Sequence, residues 1–148
     1  MIFEDKISEI QKDMLSLALE ISEGKVDKLY IYGSHENNTF SFNAFFEKSN
    51  VIYSINQLPQ IGIQNITSDK MFNFLKIGTD DLKNLISIYK EESRDVPTQI
   101  KLVYDNIGKR ANANYSYDQF FSNSDTLTPE DIFMKWYEEV KAEVEGKE

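Results

Sequence analysis

The chain holds a single imidazole, His35, and no cysteine. Catalysis of the Ser/His/Asp type would need His35 as its base, and no serine stands in a strand-turn-helix setting such as G-x-S-x-G. No second ligand sits at metal-binding spacing from His35, so it reads as an exposed surface residue where a strand meets a turn. Without a thiol there are no disulfides, thiolate zinc sites or Cys nucleophiles, and a reducing compartment is compatible with the composition. Gly78 and Gly108 stand alone, so there is neither a Walker loop nor a dinucleotide fingerprint. Four pairs of adjacent acids remain: Asp80-Asp81, Glu91-Glu92, Glu130-Asp131 and Glu138-Glu139. Neighbours on a helix point about 100° apart, so none of these pairs makes an acid/base couple by itself. The first and third read as helix-start stabilisation, the others as solvated helix faces. The expectation is a protein without catalysis, cofactor or metal.

Charge is more informative. Sixteen basic and 25 acidic residues give a net charge of −9 over 148 residues. That balance disfavours direct contact with nucleic acid or an anionic membrane and favours a basic protein partner. From Asp118 onward there are nine acids and three lysines, a net of −6, following the aromatic pair Tyr115 and Tyr117. Aromatics amid carboxylates build a surface on which the rings anchor a basic partner and the acids steer it. Carboxylates also occupy positions that nucleic-acid phosphates would take. The residues singled out on this basis are Tyr117, Asp118, Asp125, Glu130, Asp131 and Glu138. An ordinary solubilising tail is the competing reading of the same run.

The elements that must position these residues follow from periodicity. Phe3, Ile7, Ile10, Met14, Leu17, Ala18 and Ile21 recur at helical steps, predicting a helix that ends near Gly24. Lys28 to Tyr53 alternates with period two, predicting three antiparallel strands. In the first, Leu29, Ile31 and Gly33 oppose Tyr30 and Tyr32; in the second, Phe40, Phe42, Ala44 and Phe46 oppose Ser41, Asn43 and Phe45. Val51, Tyr53 and Ile55 make the third, and Leu58-Pro59 with Gly62 reads as a loop. Glu36-Asn37-Asn38 and Lys48-Ser49-Asn50 are the turns, since Asn tolerates left-handed backbone. Tyr30 and Tyr32 either stand exposed as anchors or lie under a helix, the second being preferred. Thr67 caps a helix that Gly78 ends, with Thr79-Asp80-Asp81 capping another; one kinked helix over 67–93 is the alternative. Ile100, Leu102 and Tyr104 mark a fourth strand. Asp105-Asn106-Ile107-Gly108 is its turn, with Gly108 at positive φ, and Ala111, Ala113, Tyr115 and Tyr117 mark a fifth strand. Thr128-Pro129-Glu130-Asp131 opens a last helix packed through Ile132, Phe133, Trp136, Tyr137, Val140 and Val144. The order α-βββ-αα-ββ-α is that of an α+β fold, a five-stranded antiparallel sheet with helices packed on it. One domain spans 1–148, with an acidic helical C-terminal extension over about 128–148. No run approaches the ~18 apolar residues of a membrane span, and no signal-peptide segment opens the chain, so a cytoplasmic protein is expected.

Taken in order, these segments resemble the YezG-like family of bacterial immunity, or antitoxin, proteins. The likeness lies in the opening amphipathic helix, K-L-Y-I-Y-G at Lys28 to Gly33, and F-N-A-F-F in the second strand. It continues through Leu58-Pro59, P-T-x-x-K-L from Pro97 to Leu102, Gly108-Lys109, Tyr115-x-Tyr117-Asp118, and Phe133 with Trp136-Tyr137. The resemblance implies a protein that binds and neutralises a secreted toxin, commonly a nuclease domain, and has no catalysis of its own. A non-inhibitory binding module, such as a secretion adaptor or chaperone for a basic client, is the alternative.

Overall fold

The computed structural model describes residues 2–146, so the last two residues of the expected 128–148 extension lie outside them. Helix α1 (Phe3–Ile21) leads into β1 (Lys28–Glu36), β2 (Thr39–Lys48) and β3 (Val51–Ser54). A 3-10 helix (Ile55–Ile61) and α2 (Ser68–Glu91) precede β4 (Gln99–Asp105), β5 (Arg110–Ser116) and α3 (Pro129–Glu145). The five strands form one open antiparallel sheet in the order β3-β2-β1-β4-β5. The fold is α+β in the expected order, the two helical segments between β3 and β4 being the 3-10 helix and α2.

The sheet is covered on both faces because β1 and β2 are apolar on both. Leu29 and Ile31 join Phe42, Ala44, Phe46, Ile100 and Leu102 beneath α1 and α2, with Met14, Ala18, Leu82 and Leu85 coming down from the helices. The opposite face buries Tyr30, Tyr32, Phe45 and Ile52 beneath Phe133, Trp136 and Tyr137 of α3. Phe45 is the hub of this second core: it stacks on Tyr30 with centroids 4.6 Å apart and meets Trp136 and Tyr137 edge-on at 5.0 and 5.3 Å. Offset and edge-to-face contacts of this kind contribute beyond area burial. Tyr30 and Tyr32 therefore lie under a helix and are not exposed anchors.

The two Asn-bearing hairpins turn as expected, Asn37, Asn38, Ser49 and Asn50 all having φ between 49° and 64°. Three local expectations fail, and one open choice is decided. Gly108 is not the left-handed residue of the β4–β5 turn; Lys109 is, at φ 57°. The Asp105 carboxylate accepts from the amides of Ile107 and Gly108, both at 3.0 Å, and this holds the first part of the turn in ordinary backbone. Residues 55–61 are a helix and not a loop, since Ile55 and Leu58 both turn into the core. Of the two readings of 67–93, the single helix is the one that forms: α2 runs unbroken from Ser68 to Glu91, and Gly78 does not end it. A Cβ at 78 would overlap the Phe42 ring, so glycine is there to let α2 approach β2 closely. His35 and Glu36, finally, belong to the strand and not to the exposed turn. His35 is half-buried, stacked on Phe40 at 4.5 Å, and burial followed by the Lys90 charge holds its pKa below the ordinary value.

Candidate functional site

Residues 34–36 hold a serine, an imidazole and a carboxylate in one tripeptide, and the pleat keeps them apart. Side chains alternate across a strand, so Ser34 and Glu36 point with Tyr30 and Tyr32 toward the α3 layer while His35 points to the α2 layer. The imidazole does not reach either neighbour. Glu36 is instead structural: it is only 4 % exposed and accepts from the backbone N–H of Phe120 (2.9 Å), Phe121 (3.4 Å) and Ser122 (3.1 Å), and from the Ser122 hydroxyl (2.6 Å). Burial alone would raise its pKa, but the Ser122 hydroxyl and the three amides outweigh burial and leave it below the usual range. This carboxylate pins the 117–128 connection that leads from the sheet to α3. Alternation with Tyr30 and Tyr32 is the signal that places Glu36 inward.

Helix α3 is secured at its ends as well. Thr128 and Asp131 form a reciprocal capping box, the Thr128 N–H donating to Asp131 at 2.9 Å and the Asp131 N–H to the Thr128 hydroxyl oxygen at 3.2 Å. At the far end Glu145 accepts from the Ile52 N–H of β3 and from Lys141, each at 2.8 Å. Between these anchors Trp136 carries Lys101 over its ring at 5.0 Å. Burial lowers the pKa of Lys101, while Glu139 acts to raise it.

With its apolar stripe against the sheet, α3 leaves Met134, on the flank of that stripe, 38 % exposed. Residues three and four apart on a helix are neighbours, so Met134 sits among Glu130, Asp131 and Glu138. All three acids are exposed. Leu127, 45 % exposed, lies just before the cap, with exposed Asp125 in the same segment. An exposed apolar side chain with acids one turn before and one turn after it, on a backbone fixed at both ends, has the composition of a docking surface: an anchor with a charged rim. Met134 was not among the residues singled out from sequence. Its signal is that it falls off the packing stripe formed by Phe133, Trp136 and Tyr137.

The six residues singled out do not form one site. Glu130, Asp131 and Glu138 come together on α3, with Asp125 in the segment before it. Tyr117 and Asp118 lie just past the end of β5, which stops at Ser116 and not at Tyr117 as its alternation suggested. Tyr117 lines an open groove with Phe3, Tyr89 and Tyr115, on the side of the sheet covered by α1. The sheet separates it from the α3 acids. Asp118 is exposed, and its carbonyl accepts from the Thr98 hydroxyl at 2.6 Å.

Elsewhere, Asp81 of α2 lies against Asp13 of α1, and burial and then that neighbour push its carboxyl up to about 7. Among the described residues no group of three or more His, Asp or Glu is placed to hold a metal ion, and no helix is long and apolar enough to cross a membrane. No protein-family model matches the chain, and no curated protein matches it.

Proposed function

We propose that the chain is an immunity protein that neutralises a basic toxin, a nuclease domain by its resemblance to YezG-like proteins, by docking it on the outer face of α3. The reading is of a cytoplasmic inhibitor without catalysis of its own. The observation that carries it is Met134 exposed between Glu130 and Asp131 on one side and Glu138 on the other, on a helix held by Glu36, the Thr128 cap and Glu145. A pre-ordered face loses little conformational entropy on binding. The acids speed encounter with a cationic partner and reject anionic ones. Lysines and arginines that a nuclease uses on phosphate find in these carboxylates the charge they are built to meet. Asp125 extends the rim, whereas Tyr117 and Asp118 lie outside this face.

The test is a pull-down of the toxin encoded beside the gene, with a nuclease assay in the presence and absence of this chain. The double charge reversal Glu130→Lys with Glu138→Lys abolishes binding and protection, and Met134→Ala weakens binding by about 1–2 kcal/mol. Full protection by the double reversal overturns the reading. Binding of the neighbouring protein without loss of its nuclease activity would instead make this chain an adaptor for a basic client.

A further inference from the structure

The two edges of the sheet are finished differently. At one edge β3 is only four residues long, and its Ile52 N–H is taken by Glu145. At the other, β5 runs seven residues as RANANYS, pairs only with β4, and carries no proline, glycine or acid. Exposed edges are ordinarily guarded by inward charge, proline, bulges or covering segments, because their free N–H and C=O groups template further pairing. Nothing among the described residues pairs with the outer edge of β5. The surrounding hairpin also departs from the chain's net charge of −9: between residues 99 and 116, Lys101, Lys109 and Arg110 stand against Asp105 alone. The chain's overall negative charge is not concentrated at this edge, so it opposes the approach of a second copy less there than at the acidic α3 face.

We propose that a second copy of this chain pairs antiparallel along β5, joining two sheets into one of ten strands about a two-fold axis through Asn114. The sequence of the edge is complementary to itself in that register. Arg110, the only charge on the strand, comes opposite Asp118 of the second copy, two residues past the end of its β5, and the symmetry makes the pair twice. On the α1 side, Ala111 comes opposite Tyr117 and Ala113 opposite Tyr115; the Tyr117 ring is free to cross onto a methyl, while Tyr115 stays packed on Tyr89 of its own chain. Tyr117 is 52 % exposed, and its groove lies at this junction. On the other side Asn112 meets Ser116 and Asn114 meets its own copy, which are small hydrogen-bonding partners. Cross-strand pairs of opposite charge, and of ring with small residue, are the unit that sets register. Isologous pairing of one patch with itself is the commonest form of closed assembly. The axis stands perpendicular to the sheet, so both α3 helices lie on one side with their outer faces free. The pairing does not depend on the toxin-binding proposal.

Sedimentation equilibrium on the full chain, from micromolar to near-millimolar concentration, tests this pairing. The wild type is expected to be a dimer. R110D and D118R alone each place like charges across the axis twice and raise the dissociation constant about tenfold or more, whereas R110D with D118R exchanges the partners and returns it to within about threefold. Circular dichroism confirms that these surface variants are folded. A wild type that stays monomeric throughout overturns the pairing, as it would if the edge served another protein's strand. Single variants that associate like wild type, or a double variant that does not recover, overturn it as well.

Discussion

Replacing Glu36 by glutamine isolates what one buried carboxylate does for the approach to α3. The native group accepts four hydrogen bonds from three consecutive residues, Phe120 to Ser122, and is shielded from solvent, so screening does little to weaken them. The amide keeps one acceptor oxygen and turns an NH₂ toward donors that have nowhere else to go. Hydrogen bonds to a charged acceptor contribute about 1.5–3 kcal/mol each and neutral ones about half that, so the substitution should cost roughly 2–4 kcal/mol of folding stability. The pH dependence carries a second signature. The pKa of Glu36 is lower in the folded state than in the unfolded chain. Its contribution is therefore full above the ordinary glutamate value and is lost as pH falls through the depressed one. Urea titrations at pH 7 and in the acid range should show a deficit in Glu36→Gln at neutrality that shrinks on acidification. Hydrogen exchange should show the amides of Phe120, Phe121 and Ser122 losing protection first. A deficit below ~0.5 kcal/mol at pH 7, with unchanged exchange at those three amides, would refute the clamp.

Asp81 has the opposite sign. Its folded pKa of about 7 lies above the ordinary value of 3.8, so the protonated form's stabilisation is complete below the unfolded pKa and is lost as pH rises toward and through 7. Because the pair is partly solvated, the effect is about 1–2 kcal/mol and not the full value of the shift. Asp81→Asn should be more stable than wild type at pH 8 by about that amount, with little difference at pH 4, as read by denaturant midpoints. Gly78→Ala should lower stability by about 1–3 kcal/mol through overpacking against Phe42, even though alanine gains about 1 kcal/mol of helix propensity. A rise in melting temperature in that variant would show that α2 does not need its close approach to β2.

The alternation in β1 and β2 and the 3.6-residue stripe of α3 were readable because each is a local pattern with a large apolar signal. Tyr30, Phe45 and Trp136 meet where those patterns say they must. Gly78 leaves one helix or two open because a glycine required by a ring on another element looks, in one dimension, like a helix terminator. The residues at the end of β1 were misread for a related reason: Glu36 looks like turn material until its partners, more than eighty residues later, are known. The acids of α3 were visible as composition but not as a place. Counting charge joined Tyr117 and Asp118 to Glu130, Asp131 and Glu138, and only the topology shows that a sheet stands between Tyr117 and the acids of α3.

The position of β1 in the sheet has a consequence for synthesis. Its partner on one side, β2, follows after a two-residue turn, but its partner on the other side is β4, with Lys28 opposite Asp105 and Ser34 opposite Gln99. At ~5–20 residues per second the ribosome needs several seconds to make the intervening chain. For that interval Leu29, Tyr30, Ile31 and Tyr32, which end up buried, lie along an open edge. An aromatic strand in that state is a target for misassociation. The nascent chain is then most exposed to chaperone capture before β4 emerges, and most mutations that slow closure of β1 on β4 would act on yield and not on the stability of the finished protein.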